Sequence, residues 1–297
     1  MAKLVIGNNK QIVTPAIVKN SAKYYVQKIT DANGVLQGGP TIINFDGVTD
    51  VNNYALAYAY RANTNIAGAL EMKDLTTLSK QHGCYGAFTS CTGLTSVSMP
   101  ALTSITAGNA CYTMFSGCTK ITSVDLHSLT TVNGTSTCFQ MFNGCTKLVT
   151  VDLSSLTSVL GQSCGSMFYN CTALTTLDLH SLTTISGSSG CDNLASGCTS
   201  LTSVDFSSLT TITGSLALSN AFNNCNALTS LSFPAVTTTS FGNKVNQFTN
   251  MCSKIPNITL HFPSNVQSVI EGLTGYSTTT PFGAKAGTVL FDLPATE

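Results

Sequence analysis

Two copies of Asp-Leu-His-Ser, at residues 125–128 and 178–181, come nearest to a catalytic set in this 297-residue sequence. A carboxylate beside an imidazole can hold it as a general base, and a serine hydroxyl can supply the nucleophile. The spacing speaks against that chemistry. Along an extended strand Asp125 and His127 point to one face while Ser128 points to the other. No Gly-x-Ser-x-Gly elbow surrounds Ser128 or Ser181. Phosphate loops, paired catalytic carboxylates and a dinucleotide fingerprint are missing from the sequence as well. The chain is therefore expected not to be an enzyme and to need no cofactor. His127 and His180 read as surface imidazoles that would make nearby binding sensitive to pH around ~6.5.

Asp125 and Asp178 belong to a column that also holds Asp152 and Asp205. Between residues 81 and 260 the only other acid is Asp192. Neighbours in such a column, ~5 Å apart, repel by about 0.8 kcal/mol in water. A solvated acidic stripe tolerates that. Alternatively the stripe draws a cation, a basic side chain or a hydroxyl-rich ligand, and carboxylate oxygens are hard ligands suited to Ca²⁺. Beside it run a hydroxyl column (Ser96, Ser123, Thr150, Thr176, Ser203, Ser230) and a mixed one (Pro100, His127, Ser154, His180, Ser207, Pro234). The candidate ligand-contacting residues are Asp125, His127, Thr150, Asp152, Ser154, Thr176, Asp178, His180 and Asp205. A cation, if bound, would sit on Asp125, Asp152, Asp178 and Asp205.

Sulfur is the other reactive element. Cysteines fall at 91, 118, 145, 171, 198, 225 and 252, and five more, at 84, 111, 138, 164 and 191, each precede a member of that series by seven residues. Burial as small apolar side chains, one slot per repeat, is the plainest account. Disulfides and metal ligation are the alternatives. A column of seven cannot pair within itself, and Cys-x₆-Cys lacks the short clamp of a zinc site. Buried thiols are protonated and inert.

These columns require a chain that returns to the same position every 26 or 27 residues. The apolar residues agree: Leu94, Ile121, Leu148, Leu174, Leu201, Leu228 and Ile255; Val97, Val124, Val151, Leu177, Val204, Leu231 and Ile258; Met99, Leu126, Leu153, Leu179, Phe206, Phe233 and Leu260. Ile43-Asn-Phe45 and Leu70-Glu-Met72 extend the series upstream in weaker form. Each L-x-x-V-x-L predicts a short strand with alternate residues turned inward. Phe115 and Cys118, three apart, predict one helical turn. No repeat buries its faces alone, so the repeats must stack into a solenoid with one parallel strand per coil. Gly134, Gly161, Gly187 and Gly214 fall in the loops between coils.

The expected division is an N-terminal cap over 1–40, a solenoid over 41–262 and a C-terminal cap over 263–297. Tyr24–Ile29, the turn Asp31-Ala-Asn-Gly34 and Val35-Leu36 predict a hairpin. Val266–Leu273 predicts a helix, and Val289–Leu293 a strand closing the last coil. Thirteen basic and thirteen acidic residues leave no net charge, without the basic footprint of a nucleic-acid binder. No apolar run suits a membrane span. The opening Met-Ala-Lys-Leu-Val-Ile is too short for a secretory signal core. Leu293-Pro-Ala-Thr-Glu297 matches only part of a sortase signal, and a strand followed by proline is the plainer reading.

Repeats of the form Phe-x-x-Cys-x-x-Leu-x-x-Val-x-Leu-x-x-Leu-x-x-Ile over about 42–262 resemble the BspA-type (Treponema-type) leucine-rich repeats of bacterial surface proteins. That resemblance implies an α/β leucine-rich-repeat solenoid acting as a non-catalytic binding or adhesion module. Its concave sheet would meet a host-cell protein or glycan, outside the cell or on its surface. The capped ends also resemble repeat proteins of gut-bacterial phages, which implies the alternative of a tail-tip or fibre protein on a virion.

Overall fold

Ser123 and Asp125 face outward and Val124 is buried between them, and this single alternation is copied coil after coil. A computed structural model of the chain describes residues 5–6, 10–11, 45, 47–242 and 246–296. Val5–Ile6 and Lys10–Gln11 form an antiparallel pair. The hairpin predicted around Asp31–Gly34 lies outside the described residues.

The main strands lie parallel along one side. Ala67–Glu71, Gly93–Ser98, Ser123–Asp125 and Thr150–Asp152 form one ladder; Thr176–Asp178 and Ser203–Asp205 a second; Ser230–Ser232, Ile258–Pro263 and Gly287–Leu293 a third. Register is direct: Ser98 pairs with Asp125 and Asp125 with Asp152, while Val97 pairs with Val124 and Val124 with Val151. Further along each coil a two-residue strand adds a rung to a second parallel sheet, which runs from Thr77–Leu78 through Thr131–Val132 to Thr211–Ile212. The chain is a parallel β-solenoid, the fold of a leucine-rich repeat.

Threonine accounts for much of the polar content. The hydroxyl of Thr76 donates to the Thr49 carbonyl one coil back (3.1 Å), Thr103 to Thr76 (3.1 Å), Thr130 to Thr103 (3.0 Å) and Thr157 to Thr130 (3.0 Å). The series runs on through Thr183 to Thr210. A side chain thus reinforces a backbone bond at the same place in six successive coils.

The helical turn expected at Phe-x-x-Cys is absent. Between Cys111 and Cys118 the amides of Tyr112, Met114, Ser116 and Cys118 donate three residues back. Those of Cys111, Thr113, Phe115 and Gly117 instead reach across to carbonyls of the next coil, at Thr137, Phe139, Met141 and Asn143. A helix would keep every bond within itself. Every fourth residue is left-handed: φ is 56° at Asn109, 49° at Thr113 and 73° at Gly117. Each such non-glycine residue costs about 1–2 kcal/mol, offset here by the bonds between coils. Burial follows the same period of four: Ala110–Cys111, Met114–Phe115 and Cys118 point inward, while Tyr112–Thr113 and Ser116–Gly117 point outward.

Phenylalanines stack along the core at 5.3 Å (Phe88–Phe115), 5.4 Å (Phe115–Phe142) and 5.8 Å (Phe142–Phe168), with planes within 7° of parallel. Every cysteine is buried and free. The longer series makes a second stack whose thiols donate to the phenylalanine-column carbonyl one coil back, as in Cys118 to Phe88 (3.1 Å) and Cys171 to Phe142 (3.2 Å). Burial pushes the thiols of Cys91 and Cys145 up to about 12, against a weaker pull from backbone hydrogen bonds. Protonated sulfur in this setting is packing material.

The last coil departs from the columns read off the sequence. Leu260, not Ile258, pairs with Leu231, so the strand has slipped by two residues. Phe262, not Leu260, follows Phe233, and their rings stack at 5.2 Å. In the turns the slip is three. Phe115 donates to Met141, 26 residues on, whereas Phe222 donates to Met251, 29 on. Cys252 therefore occupies the phenylalanine slot and Ile255 the cysteine slot, although Cys252 keeps the 27-residue spacing from Cys225. Beyond it come a short α-helix, Gln267–Glu271, and the final strand, Gly287–Leu293.

Candidate functional site

The outward face of the main strands carries Asp125, Asp152, Asp178 and Asp205 where the sequence places them. Asp125 lies directly opposite Asp152, and Asp178 opposite Asp205. Thr150 and Thr176 line the hydroxyl column, with Thr176 opposite Ser203.

Each carboxylate is turned toward its own chain. Asp125 Oδ1 accepts the His127 amide (3.2 Å), Asp152 Oδ1 the Ser154 amide (3.0 Å), Asp178 Oδ1 the His180 amide (3.0 Å) and Asp205 Oδ1 the Ser207 amide (2.7 Å). A carboxylate that accepts the N–H two residues on closes an Asx-turn, here the corner where the chain leaves the strand. The sequence contains the control. Where the residue two further on is Pro100, Pro234 or Pro263, which has no N–H, the column holds Ser98, Ser232 or His261 instead. Acid appears where there is an amide to accept. The acidic stripe is thus first a row of turn caps, a reading the column spacing alone did not suggest.

His127 and His180 complete two of these corners. His127 Nδ1 lies 2.7 Å from Asp125 Oδ1, and His180 Nδ1 lies 2.8 Å from Asp178 Oδ1. Partial burial acts to raise the Asp125 carboxyl, but bonds from the His127 ring and amide and the Ser98 hydroxyl outweigh it and hold the group below its ordinary value. Asp178 is lowered in the same way by the His180 amide and ring. Both pairs are about half exposed, and among the described residues no serine hydroxyl bonds to either ring. Nor, among those residues, do three or more His, Cys, Asp or Glu side chains converge on a point that could hold a metal ion.

The ladder of this face is interrupted at two places, between Thr150–Asp152 and Thr176–Asp178 and between Ser203–Asp205 and Ser230–Ser232, and the second has a particular shape. In most coils the amide after the central column donates to the next coil: Leu126 to Asp152, Leu179 to Asp205, Phe233 to His261. Among the described residues no such bond joins Phe206 to Ser232, and no ladder links Ser203–Asp205 to Ser230–Ser232. Val204 is left half-buried, although its equivalents Val124 and Leu231 are 3% and 1% exposed. A cleft of about 410 Å³ opens there. Its floor is apolar (Leu177, Val204, Phe206, Pro234) and its walls are polar (Thr176, Asp178, Ser203, Asp205, Ser207, Ser232). Of the nine candidate residues, the structure brings Thr176, Asp178 and Asp205 to this cleft, His180 follows Asp178 on the same coil without lining it, and Asp125, His127, Thr150, Asp152 and Ser154 lie on earlier coils of the same face. Val204 and Ser232 were not among the candidates, because a missing backbone bond leaves no trace in side-chain types. The face also extends to His261, whose Nδ1 lies 2.9 Å from Asp292 Oδ2 on the final strand.

The model of the BspA type leucine rich repeat region matches six copies in the chain, over residues 80–195, 114–252 and 192–274. No curated protein matches the sequence. Among solved structures, a leucine-rich repeat protein from T. pallidum is similar at 19% identity and a TM-score of 0.44, covering 84% of this chain and 91% of that one. A leucine-rich cell surface protein from Faecalibacterium prausnitzii A2-165 is similar at 13% identity and a TM-score of 0.25, covering 91% of this chain and 96% of that one. The repeat matches together span residues 80–274, about two thirds of the sequence, and the chain belongs to the BspA-type leucine-rich repeat family.

Proposed function

We propose that the chain is a non-catalytic binding and adhesion module working outside the cell or at its surface, and that its strand face receives a protein or glycan ligand. The observation that carries this reading is the cleft at Val204. It combines an apolar floor, open at Val204 and Pro234, with carboxylates and hydroxyls on its walls, the mixture that fixes a ligand by contact and orients it by hydrogen bonds. Membership of a repeat family that resembles bacterial surface proteins supports the location. Against catalysis stands the state of the Asp–His pairs, which are solvent-open and, among the described residues, have no serine hydroxyl bonded to either ring.

A glycan and extracellular-matrix array probed with the whole chain tests the reading. Binding is expected, with a loss of at least about tenfold in Asp178→Asn/Asp205→Asn, since hydrogen bonds to charged groups contribute about 1.5–3 kcal/mol each. Binding that survives neutralisation of Asp125, Asp152, Asp178 and Asp205 together places the ligand on another face.

A further inference from the structure

The strands Ser203–Asp205 and Ser230–Ser232 come apart at both ends. Just before the strand, a carbonyl ordinarily takes an amide from the next coil: Thr95 from Thr122, Thr122 from Val149, Thr175 from Thr202 and Thr229 from Thr259. Among the described residues the Thr202 carbonyl has no such partner. At the other end, the carbonyls of Asp125, Asp152, Asp205 and His261 each take an amide from the coil before, and that of Ser232 does not. The earlier interruption is milder, since Thr175 still donates to Val149 across it (3.4 Å). The cleft at Val204 therefore has backbone acceptors without a protein donor beside its apolar floor, and such groups are left for water or a ligand.

Charge on this stretch has one sign. From residue 148 to 243 the sequence holds four acids (Asp152, Asp178, Asp192 and Asp205) and no lysine or arginine. Asp178 and Asp205 line the cleft and lie directly opposite each other. Each spends Oδ1 on its own corner, and among the described residues neither Oδ2 has a hydrogen-bond partner. His180, the one imidazole in the stretch, sits against Asp178 Oδ1 and leaves Oδ2 open. Two neighbouring carboxylates repel, and a cation between them turns that repulsion into attraction.

We propose that the cleft takes the arginine side chain of a protein partner, an assignment that rests on this face being a binding face. Arginine carries an apolar stem and a planar head with five N–H donors. The stem lies on Val204 and Pro234. The head reaches Oδ2 of Asp178 and of Asp205, and the Ser232 carbonyl across the gap. Lysine brings its charge to a single point, whereas these acceptors stand on both sides of the cleft and suit the guanidinium fork. A neutral glycan brings no charge to the acid pair. The Phe206 amide, which makes no bond to the next coil, is free for a backbone carbonyl of the partner. About 410 Å³ of space lies within the ~300–1,000 Å³ usual for a small ligand and holds one long side chain with its backbone.

Methyl NMR spectra of the whole chain, titrated with N-acetyl-arginine methylamide, test this. The citrulline analogue is the second probe, with the same shape and no charge. Saturable shifts of the Val204 methyls are expected with the arginine probe. Citrulline should bind at least about tenfold more weakly, and so should arginine to Asp178→Asn/Asp205→Asn. Asparagine keeps the oxygen that caps each corner, so the double variant retains its fold. Ser232→Asp, which adds a third carboxylate at the rim, should tighten the arginine probe and leave citrulline unchanged. Citrulline binding as tightly as arginine, or arginine binding unchanged in the double variant, overturns the proposal. An arginine probe that leaves Val204 unmoved while an array ligand still binds, and is lost in the double variant, removes the arginine assignment and keeps the binding face. Saturation at Val204 beside an empty glycan and matrix array supports the assignment and removes adhesion to those ligands.

Discussion

The coils between residues 80 and 225 and the coil that follows them carry the same cysteine spacing and pack differently. In the first region, slot and sequence position coincide: Phe88, Phe115, Phe142 and Phe168 stack, and thiols of the longer cysteine series reach the carbonyl one coil back. In the second, Cys252 stands in the phenylalanine slot and its amide donates to the Phe282 carbonyl, while aromatic rings cluster in the same part of the core: Phe248 packs edge-on with Phe282 at 5.3 Å and lies 6.4 Å from Phe262. The difference teaches that a repeat is defined by its backbone hydrogen bonds between coils. Side-chain type can be exchanged between slots, provided that volume is returned by a neighbour.

The largest effect separating the two regions should come from truncating one slot in each. Phe142→Ala is expected to cost about 3–5 kcal/mol, because rings above and below cannot close the gap. Cys252→Ala, in the equivalent slot, should cost only about 1 kcal/mol, the equivalent of roughly one buried methylene. Chemical denaturation of the two variants measures the contrast. Comparable losses would mean that Cys252 is as integral to its coil as the phenylalanines are to theirs, and the distinction between the regions would fall.

A smaller effect separates the corners. Asp152→Ala removes the acceptor for the Ser154 amide and hydroxyl and should cost about 0.5–1.5 kcal/mol. Ser232→Asp, in the coil whose corner is Pro234, should give no stabilisation, since no amide is present to accept; adding Pro234→Ser should restore the gain. A stabilising Ser232→Asp alone would show that the acids act through something other than capping.

Much of the solenoid was legible because burial leaves a chain few options. Val97, Val124 and Val151 must be apolar to lie inside, and their spacing alone states the coil length. The turn runs were not legible as such: left-handed φ tolerates Asn109, Thr113 and Gly117 alike, so the period of four appears only as a weak preference for Gly or Asn before cysteine (Gly117, Gly144, Asn170, Gly197, Asn224). The slip at Cys252 was concealed because Cys252 keeps the 27-residue spacing from Cys225, while three residues added in the turns move the cysteine slot on to Ile255. The acid column was visible, but its purpose required seeing where Oδ1 points, although Ser98–Pro100 and Ser232–Pro234 held the clue. At the Val204 cleft Phe206 makes no backbone bond to the next coil, as Leu153 makes none two coils earlier where Val151 stays buried, and composition carries no record of either.

Acid should act on the two regions unequally, and by the smallest margin of these tests. Asp125 and Asp178 have carboxyls held below their ordinary value in the folded chain, against the upward push of partial burial, by bonds from His127, Ser98 and His180. A carboxyl that is more acidic when folded contributes stability at pH values above its unfolded range, and that contribution is lost as pH falls through the lowered folded value. Both groups belong to the regular coils, while the last coil has His261 and Pro263 at the same corner. Asp125→Asn/Asp178→Asn should therefore lower stability at neutral pH and flatten its decline on acidification, so that the two denaturation profiles converge at low pH. Because both carboxylates are about half exposed, solvent screening keeps the separation small. Profiles that stay parallel down to the acid limit would assign the acid sensitivity to carboxyls outside these two caps.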